Sequence, residues 1–398
     1  MDPQRDAVSL IKNYLNTPET ILIIGPRQSG KTTIMHQLES FLKSTNENCF
    51  FLNLEDPDYL KLLNESPKNL FQIFPINPKN HSYLFIDEIQ YLKNPSNFLK
   101  YFYDEYKEKI KIIASGSSAF YLDKKFKDSL AGRKKIFTLL TLTFKEFLKF
   151  KNEADLSQKN LKNLTISEID KIKPLYLEYI TYGGYPRVIL AKTPEEKIED
   201  LRDLAYSYIK KDIYESGVRQ DEYFYNLLKI LASQTGSLVN SLELSKTLGL
   251  SKTAVDNYLY IMQKSFHINL IKPFFKNIRK ELIKMPKVFF TDLGLRNFFK
   301  NDFRPILDRD DKGELLENAG FRSLSDKYGL ENIKFWRTIT QKEVDFVLEN
   351  QKIAFEVKIN PNNMKQKEYS LFKESYPEIK LDFISLNQSS KSIPPWQI

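Results

Sequence analysis

A short glycine-rich segment near the amino terminus has the residue types and spacing needed to bind phosphate. The segment GPRQSGKT matches the pattern GxxxxGK[ST], follows the apolar run ILII and precedes a helical stretch. Its glycines allow backbone N–H groups to surround phosphate oxygens at the positive end of a helix dipole. We expect Lys31 to reach the β- and γ-phosphates of a nucleotide and the Thr32 hydroxyl to bind Mg²⁺. The residues predicted to contact the nucleotide are Gly25, Pro26, Arg27, Gln28, Ser29, Gly30, Lys31, Thr32 and Thr33.

A chance glycine-rich turn is the alternative, and the flanking strand and helix argue against it.

Two adjacent acids have the residue types that hydrolysis of a nucleotide requires. Asp87 follows LFI at the predicted tip of a buried strand, where its carboxylate would lie near Mg²⁺. Glu88 is placed to polarise a water molecule aimed at the γ-phosphate. The pair favours hydrolysis over binding alone, and two solvated loop acids are the alternative.

Two further segments offer groups that can contact the γ-phosphate. SGSS, residues 115–118, ends the next predicted strand, and one of its serines would sense the phosphate or hold the attacking water. We take Ser117 as the candidate, although the pattern leaves the choice among these serines open. Arg133, in LAGR, would reach phosphate in its own chain or in a neighbouring subunit, and a surface arginine is the alternative. The sequence has no NKxD motif, which favours ATP over GTP.

Three acids and a lysine near the carboxyl terminus have the pattern of a metal-dependent phosphodiesterase. Glu356 and Lys358 are two residues apart on a predicted strand and therefore face the same side. A hairpin would bring Asp345 beside them, and Glu317, on the preceding predicted helix, would close the cluster. The carboxylates of Glu317, Asp345 and Glu356 would hold Mg²⁺ or Mn²⁺, which activates water, while Lys358 would orient that water or stabilise developing charge. The alternatives are a surface hairpin with a Glu–Lys pair and a nuclease fold kept only for DNA binding.

Changes in hydrophobic period along the chain predict the elements that position these residues. Residues 1–150 alternate short unbroken apolar runs with helical stretches, which predicts a parallel sheet between layers of helices, an α/β P-loop fold. Residues 151–225 have amphipathic helical patterns and predict a helical lid or bridge. The strands predicted in the first region are Ile21–Gly25, Cys49–Leu54, Tyr83–Asp87, Lys111–Ser115 and Ile136–Leu142.

The two remaining segments predict different folds. Residues 226–300 have two helices, Ser241–Leu248 and Lys252–Gln263, joined by a glycine turn and followed by two strand-like runs, which is the plan of a winged helix-turn-helix. Residues 301–398 combine a long helix with four mostly alternating strands and predict a further α/β domain. We therefore predict four domains, with boundaries at 150, 225 and 300.

Positive charge is concentrated in one segment of the chain. The net charge is +9, and residues 221–300, with twelve Lys and Arg against six Asp and Glu, account for +6 of it. Such a concentration of positive charge is typical of a segment that contacts a polyanion, most simply DNA. The alternatives are a solvated basic face and a winged helix that serves only for packing. Seven basic residues lie in the predicted wing: Lys264, Lys272, Lys276, Arg279, Lys280, Lys284 and Lys287.

Composition excludes several other classes of protein. The chain has 398 residues, of which 41% are apolar and 28% charged, the balance of a folded globular protein with two or three domains. Its apolar runs are far shorter than the ~18–20 residues of a membrane span. The single cysteine, Cys49, cannot form an internal disulfide, so we expect a reducing, cytoplasmic location and no membrane.

The order of these motifs resembles that of the archaeal and bacterial predicted AAA+ ATPases, whose ATPase core precedes a C-terminal domain of unknown function. The resemblance rests on GPRQSGKTT, FIDEIQ, ASGSSAF and LAGR, followed by TYGGYPRVI, YIKKDIYE, KVFFTDLGLRNFF, EVDFVLE and AFEVK. It covers essentially the whole chain. It implies a RecA-like αβα core that uses ATP and Mg²⁺, a winged helix, and an end domain similar to PD-(D/E)xK restriction endonucleases. It implies no particular substrate.

We therefore expect a cytoplasmic ATP-hydrolysing protein that acts with DNA and has a nuclease-like C-terminal domain. A second class remains open, a nucleotide-gated switch or adaptor whose C-terminal parts bind DNA or protein without cleavage. A sequence-specific DNA-binding regulator is a third class. The sequence leaves open whether the protein forms a homo-oligomer or binds a protein partner.

Overall fold

The chain folds into two compact units. The computed structural model describes residues 4–77, 80–117, 130, 132–216, 221–275, 285–360, 366–386, 389 and 392–398. One unit comprises Met1–Leu140 and Lys264–Phe266, and the other comprises Thr141–Gln263 and His267–Ile398. Each unit is organised around its own buried hydrophobic clusters.

The first unit contains a five-stranded sheet in which every neighbouring pair of strands is parallel. The strands are β1 (Thr20–Ile24), β2 (Asn48–Asn53), β3 (Ser82–Asp87), β4 (Ile110–Gly116) and β5 (Lys134–Thr138). Their order in the sheet is β2-β3-β4-β1-β5. Strands β1, β3 and β4 are buried along their whole length, which confirms the parallel sheet predicted from unbroken apolar runs. Because the strands are parallel, the segments that follow β1, β3 and β4 meet at one edge.

Helices cover both faces of this sheet. On one face, two helices pack against alternate residues of β1, such as Ile21 and Ile23, and on the other face the remaining helices pack against Leu22 and Ile24. This arrangement confirms the αβα sandwich. The helices of the unit are Asp6–Lys12, Lys31–Ser44, Pro57–Glu65, Leu70–Ile73 and Pro95–Tyr106.

The second unit begins earlier than the predicted boundary at 150. The fifth strand ends at Thr138 rather than Leu142, and the chain then turns, so that the Leu142 N–H donates to the Gly184 carbonyl oxygen at 2.7 Å. The predicted helical, winged-helix and C-terminal segments share one hydrophobic cluster, which explains why the boundaries at 225 and 300 do not separate compact units. That cluster includes Leu142, Tyr176, Phe289, Phe321 and Trp396.

Helices dominate the first half of the second unit. The two helices predicted for the helix-turn-helix are present, with Gly249 between them at φ +66°, a left-handed conformation that favours glycine. Strands β6 (Ile268–Ile271) and β7 (Lys287–Phe290) follow as an antiparallel pair. The helices of this half are Phe144–Phe150, Ala154–Gln158, Ile166–Tyr182, Pro186–Leu190, Pro194–Asp203, Ile209–Ser216, Asp221–Ser233, Ser241–Leu248 and Lys252–Lys264.

The carboxyl-terminal part contains a second, four-stranded sheet. Its strands are β8 (Lys334–Arg337), β9 (Glu343–Leu348), β10 (Ile353–Val357) and β11 (Lys380–Ile384), in the order β11-β10-β9-β8. Strand β10 is antiparallel to β9 and parallel to β11. The helix Lys312–Tyr328 packs on this sheet, with Gly320 close to Val357 and Ile384. The other helices here are Leu293–Lys300 and Ser370–Ser375.

No helix in the described ranges is both long enough and apolar enough to cross a lipid bilayer.

Candidate functional sites

The predicted phosphate-binding loop joins β1 to the helix Lys31–Ser44, and its glycines are required by close backbone packing. A Cβ atom added to Gly25 would lie 2.0 Å from the carbonyl oxygen of Leu139, which no side chain can tolerate. Gly30 has φ +94° and precedes the helix without any side-chain cap. The first N–H groups of this helix therefore lack a side-chain acceptor and are oriented to bind an anion.

Three residues of the loop that are predicted to bind the nucleotide, Arg27, Ser29 and Lys31, are buried. The Lys31 ammonium is buried, with 5% of the residue exposed, and donates to the carbonyl oxygens of Gly25 at 3.0 Å and Pro26 at 2.8 Å. The buried Ser29 hydroxyl has no hydrogen-bond partner among the described residues. Buried hydroxyls in proteins are normally hydrogen-bonded, so this one fits a loop that accommodates a polar ligand. Arg27 is also buried, whereas Thr32 and Thr33, in the first turn of the helix, are exposed.

An arginine that the sequence did not single out supports this loop. Arg5 precedes the first helix, is 5% exposed, and donates to the carbonyl oxygens of Ser29 at 2.7 Å and Leu140 at 3.0 Å. One guanidinium therefore connects the loop to the chain beyond β5. No motif could have indicated this role, because 24 residues separate Arg5 from Ser29.

The acid predicted to lie near Mg²⁺ is held between two hydroxyl groups. The Thr32 hydroxyl donates to one carboxylate oxygen of Asp87 at 2.7 Å, and the Ser115 hydroxyl donates to the other. The backbone N–H of Glu88 in turn donates to the Ser115 hydroxyl oxygen at 3.0 Å. Sheet order explains the meeting, because β4 lies between β1 and β3 and brings Ser115 to the same edge. Hydroxyl and carboxylate oxygens are ligands that Mg²⁺ prefers.

Glu88 has a backbone conformation that is uncommon outside glycine. Its φ is +56°, a left-handed value that costs on the order of 1 kcal/mol for a residue with a side chain. The side-chain amide of Gln90 donates to the Glu88 carboxylate and also to the Ser117 hydroxyl oxygen, the latter at 3.0 Å. Such local strain is characteristic of functional positions. Ser117 and Glu88 are therefore linked through Gln90, which the sequence analysis did not identify.

Arg133 lies far from this edge in its own chain. Its backbone carbonyl accepts from the Thr20 N–H at 2.9 Å, at the amino end of β1, whereas the phosphate-binding loop follows the carboxyl end. Five residues of extended strand separate the two ends by about 16 Å. The guanidinium binds Asp104 at 2.9 Å and is one-third exposed. The structure therefore does not bring Arg133 to the loop of the same chain, and a role in a neighbouring subunit stays a prediction.

The C-terminal acids come together as the predicted hairpin requires. Strands β9 and β10 are antiparallel, with Phe346 opposite Phe355, so Asp345 and Glu356 are next to each other. The Asp345 carboxylate accepts from the Val357 N–H at 2.8 Å, and Glu356 accepts from the Asp345 N–H at 3.3 Å. Glu356 also accepts from the Lys358 ammonium at 2.5 Å and from the Tyr369 hydroxyl at 2.9 Å. A cavity of about 830 Å³ opens beside Glu356, Lys358 and Tyr369.

A further acid, Glu343, joins this cluster. One carboxylate oxygen from each of Glu317, Glu343 and Asp345 lies within 4.8 Å of the others. Glu343 is two residues before Asp345 on β9, so both side chains point to the same face. That spacing is a signal the sequence analysis could have used.

Lys287 lies among these three carboxylates, which corrects its assignment to a basic wing. Its Nζ is 3.0 Å from Glu317 and 3.8 Å from Asp345, and it also forms an ion pair with Glu343. The residue is 1% exposed. Burial acts to lower the pKa of Lys287, but attraction from Glu317, Asp345 and Glu343 outweighs it and raises that pKa above its ordinary range. Lys287 is therefore a buried, charged partner of acids and does not present its charge to DNA.

Burial also disfavours the charged forms of three acids. It raises the pKa of Glu317 to about 8, against the opposing effect of Lys287, and raises the pKa of Glu356 to about 8 with help from the Asp345 charge. The pKa of Asp345 is raised for the same reason. The carboxylates of Glu317, Glu343 and Asp345 suit Mg²⁺ or Mn²⁺ in composition, but the Lys287 ammonium lies where they converge. The residues present therefore do not fit a divalent cation in this arrangement.

Four of the seven basic residues assigned to the wing, Lys276, Arg279, Lys280 and Lys284, lie outside the described residues. Of the others, Lys272 is exposed, Lys264 is half-buried and Lys287 belongs to the carboxylate cluster. The predicted DNA-binding charge therefore depends mainly on residues that the structure does not describe.

Comparison with known proteins places the first unit in a known class. Residues 17–148 match the family model described as an AAA domain, and residues 173–305 and 312–392 match two domains of unknown function, DUF8612 and DUF4143. An uncharacterized protein of Methanocaldococcus jannaschii is 28% identical over 95% of this chain and 82% of its own length. Another, from Haemophilus influenzae, is 29% identical over 69% of this chain and 68% of its own.

Among solved structures, the ORC2 protein of Aeropyrum pernix is similar with a TM-score of 0.40 and 12% identity, over 66% of this chain and 85% of that chain. The family match at residues 17–148 coincides with the parallel sheet, the glycine loop and the Asp87–Glu88 pair. The first unit of this chain thus has the fold of a P-loop AAA+ ATPase domain.

Proposed function

We propose that the protein binds and hydrolyses ATP at the carboxyl edge of its five-stranded sheet. The observation that carries this proposal is the position of Asp87, which is hydrogen-bonded to both Thr32 of the phosphate-binding loop and Ser115 of β4. Glu88 follows directly and places a second carboxylate at the same edge. In this proposal, different residues at the same edge of the sheet bind the phosphates and activate the water.

Each residue has a distinct role in this proposal. The backbone N–H groups that follow Gly30 and the Lys31 ammonium bind the phosphates, while Thr32 and Asp87 would hold Mg²⁺. Mg²⁺, when bound with the nucleotide, neutralises phosphate charge. Glu88 accepts a proton from the attacking water, and Gln90 orients its carboxylate.

The second part of the proposal concerns the partner. Residues 221–300 have an excess of positive charge, although acids within the protein neutralise Lys287. This excess supports a polyanionic partner, and we propose that the partner is DNA. We propose further that the C-terminal sheet takes part in binding without cleavage. A divalent cation held by both Glu317 and Asp345 would lie where Lys287 pairs with these acids, which disfavours cleavage of phosphodiesters.

One set of assays tests both parts. Phosphate release from ATP and from GTP is measured with Mg²⁺, in the absence and presence of single- and double-stranded DNA. We expect hydrolysis of ATP that DNA accelerates, and no shortening of linear, circular or branched DNA with Mg²⁺ or Mn²⁺. ATP turnover that Glu88→Gln leaves intact would refute the first part. DNA cleavage that Asp345→Ala abolishes would refute the non-cleaving role and restore the nuclease interpretation.

A further inference from the structure

The buried lysine of β7 lies among three carboxylates of the second unit. We propose that Lys287 is the resident cation of the C-terminal carboxylate cluster, formed by Glu317, Glu343 and Asp345, and that it excludes divalent metal ions from it. The proposal concerns the second unit alone and does not depend on the proposed ATPase activity.

The first support is the geometry of the charges. Three carboxylates, from a helix and from β9, converge on one Nζ atom, which contacts Glu317 at 3.0 Å and Asp345 at 3.8 Å and pairs with Glu343. A lysine ammonium has three N–H donors and no acceptor, so it can donate only to groups such as these carboxylates. Glu317 and Glu343 accept hydrogen bonds from it, and Asp345 is an ion-pair partner beyond hydrogen-bond distance. The same convergence of oxygens would bind a divalent cation, and both cations cannot lie there because like charges repel.

The second support is that the backbone that carries Lys287 is held on two sides and its side chain is buried. Its main chain pairs with Ile271 in the antiparallel ladder and forms a bridge with Leu238. Its Nζ lies 5.5 Å from the centre of the Phe335 ring. With this backbone fixed, the ammonium lies among the three carboxylates, and 1% of the residue is exposed.

The backbone of Gly236 closes another side of the cluster. Gly236 has φ +77°, and a Cβ atom added there would lie 2.6 Å from a carboxylate oxygen of Glu317. The Gly236 N–H donates to the Val288 carbonyl oxygen at 2.8 Å. Strand β7, which carries Lys287, therefore also positions Gly236. The cluster thus lies between residues of the predicted winged-helix segment and of the C-terminal sheet, beside a cavity of about 450 Å³ that Lys287, Glu317 and Glu343 help to line.

The neighbouring charges complete the ionic arrangement. The other oxygen of Glu343 accepts from Arg337 at 3.0 Å, and Glu356 is paired with Lys358. Each of the four acids thus has a cation in contact within the same unit.

The experiment measures metal binding directly, without reference to activity. The full chain, free of nucleotide, is titrated with Mn²⁺ while free Mn²⁺ is followed by electron paramagnetic resonance. The variants are Lys287→Met, which removes the charge while keeping an unbranched side chain, and Lys287→Arg, which keeps it. Lys380→Met is the matched control, because Lys380 also lies on a strand and pairs with an acid, Asp382, outside the cluster.

We expect Lys287→Met to bind about one Mn²⁺ per chain more than wild type, and this gain to disappear in Lys287→Met/Asp345→Asn. Wild type, Lys287→Arg and Lys380→Met should bind equally little. Mn²⁺ should also raise the melting temperature of Lys287→Met but not that of wild type, since only the variant has uncompensated carboxylates. A folded Lys287→Met that gains no Mn²⁺ overturns the proposal.

Wild type itself provides a test that does not depend on the folding of any lysine variant. If wild type binds Mn²⁺ without nucleotide and Asp345→Asn abolishes that binding, Lys287 does not exclude the metal and the proposal is wrong. Equal Mn²⁺ binding by wild type and Asp345→Asn supports it.

Discussion

The hydroxyl of Thr32 and the carboxylate of Asp87 are 2.7 Å apart, although 55 residues separate them in the chain. The contact joins the first turn of the helix that follows β1 to the end of β3. Strand β4, which lies between β1 and β3, adds the Ser115 hydroxyl to the same carboxylate. Two motifs that the sequence presents separately thus form one site. This site is preorganised by backbone pairing, because all three strands end at the same edge of a parallel sheet.

Separation of phosphate binding from water activation leads to a first prediction. Lys31→Ala should abolish ATP binding, since it removes the buried ammonium beside the loop, whereas Glu88→Gln should bind ATP normally and lose turnover. Loss of a general base lowers the rate by roughly 10²–10⁴-fold. Binding is measured by calorimetry and turnover by phosphate release. Glu65→Gln, an exposed glutamate of the same unit, is the control and should match wild type.

The two buried serines at the end of β4 should have different effects. The Ser115 hydroxyl contacts both Asp87 and the Glu88 N–H, whereas the Ser117 hydroxyl accepts from the Gln90 amide. We expect Ser115→Ala to weaken Mg²⁺-dependent ATP binding, and Ser117→Ala to lower turnover with little change in binding. Michaelis–Menten measurements at several Mg²⁺ concentrations distinguish these effects. Identical changes in KM and kcat for both variants would contradict the assignment.

Arg5 should stabilise the phosphate-binding loop without contacting the nucleotide itself. Arg5→Met removes the hydrogen bonds to the Ser29 and Leu140 carbonyl oxygens and leaves buried acceptors unpaired, at a cost of about 1–3 kcal/mol. We therefore expect a lower melting temperature and weaker ATP binding, with ATP partly restoring stability. Thermal melts with and without ATP measure this. Lys61→Met, at an exposed position, should leave both quantities unchanged.

The parts of the site that local sequence encodes were predictable, and those that depend on tertiary contact were not. The glycine loop, Asp87 and Glu88 follow from short motifs with a required strand and helix around them, and the β9–β10 hairpin follows from alternation. Gln90 and Arg5 had no such signal, because their partners are set by strand order and chain packing.

Lys287 shows why charge alone was misleading. In the sequence it is one of several lysines near a predicted wing, and the count of charged residues predicted that it contacts DNA. Its neighbour in the ladder, however, is an apolar residue of β6, and all four residues of β7 are buried. A lysine on such a strand must find acids inside the protein, since an unpaired buried charge is too costly. Those acids come from residues 30 to 58 positions away.

The buried lysine of β4 gives a prediction about pH. Burial lowers the pKa of Lys111 from 10.5 to about 8, and its Nζ donates to the Thr17 and Glu19 carbonyl oxygens, each at 2.6 Å. Between these two pKa values the unfolded chain binds a proton that the folded chain does not, so stability rises with pH. Relative to Lys111→Met, the free energy of unfolding should increase from about pH 8 to about pH 10.5, by no more than about 3 kcal/mol.

Urea denaturation across this pH range measures the difference between wild type and Lys111→Met. Lys109→Met, at an exposed position beside the same strand, controls for the loss of one positive charge. A difference that stays constant or falls with pH would show that Lys111 keeps its proton when folded.

The predicted DNA contact should depend on the basic residues between β6 and β7. Each phosphate neutralised by lysine or arginine releases counterions, so affinity should fall steeply as salt rises. Replacing Arg279, Lys280 and Lys284 together with methionine should weaken binding to all sequences about equally and reduce the slope of log K against log salt by up to about 3. Fluorescence anisotropy with labelled duplexes of different sequence measures both effects. A triple change of the exposed Lys61, Lys93 and Lys109 removes the same charge from the first unit and should leave the slope unchanged. If the two triple variants bind DNA equally well, total charge and not this segment determines binding, and the predicted interface is wrong.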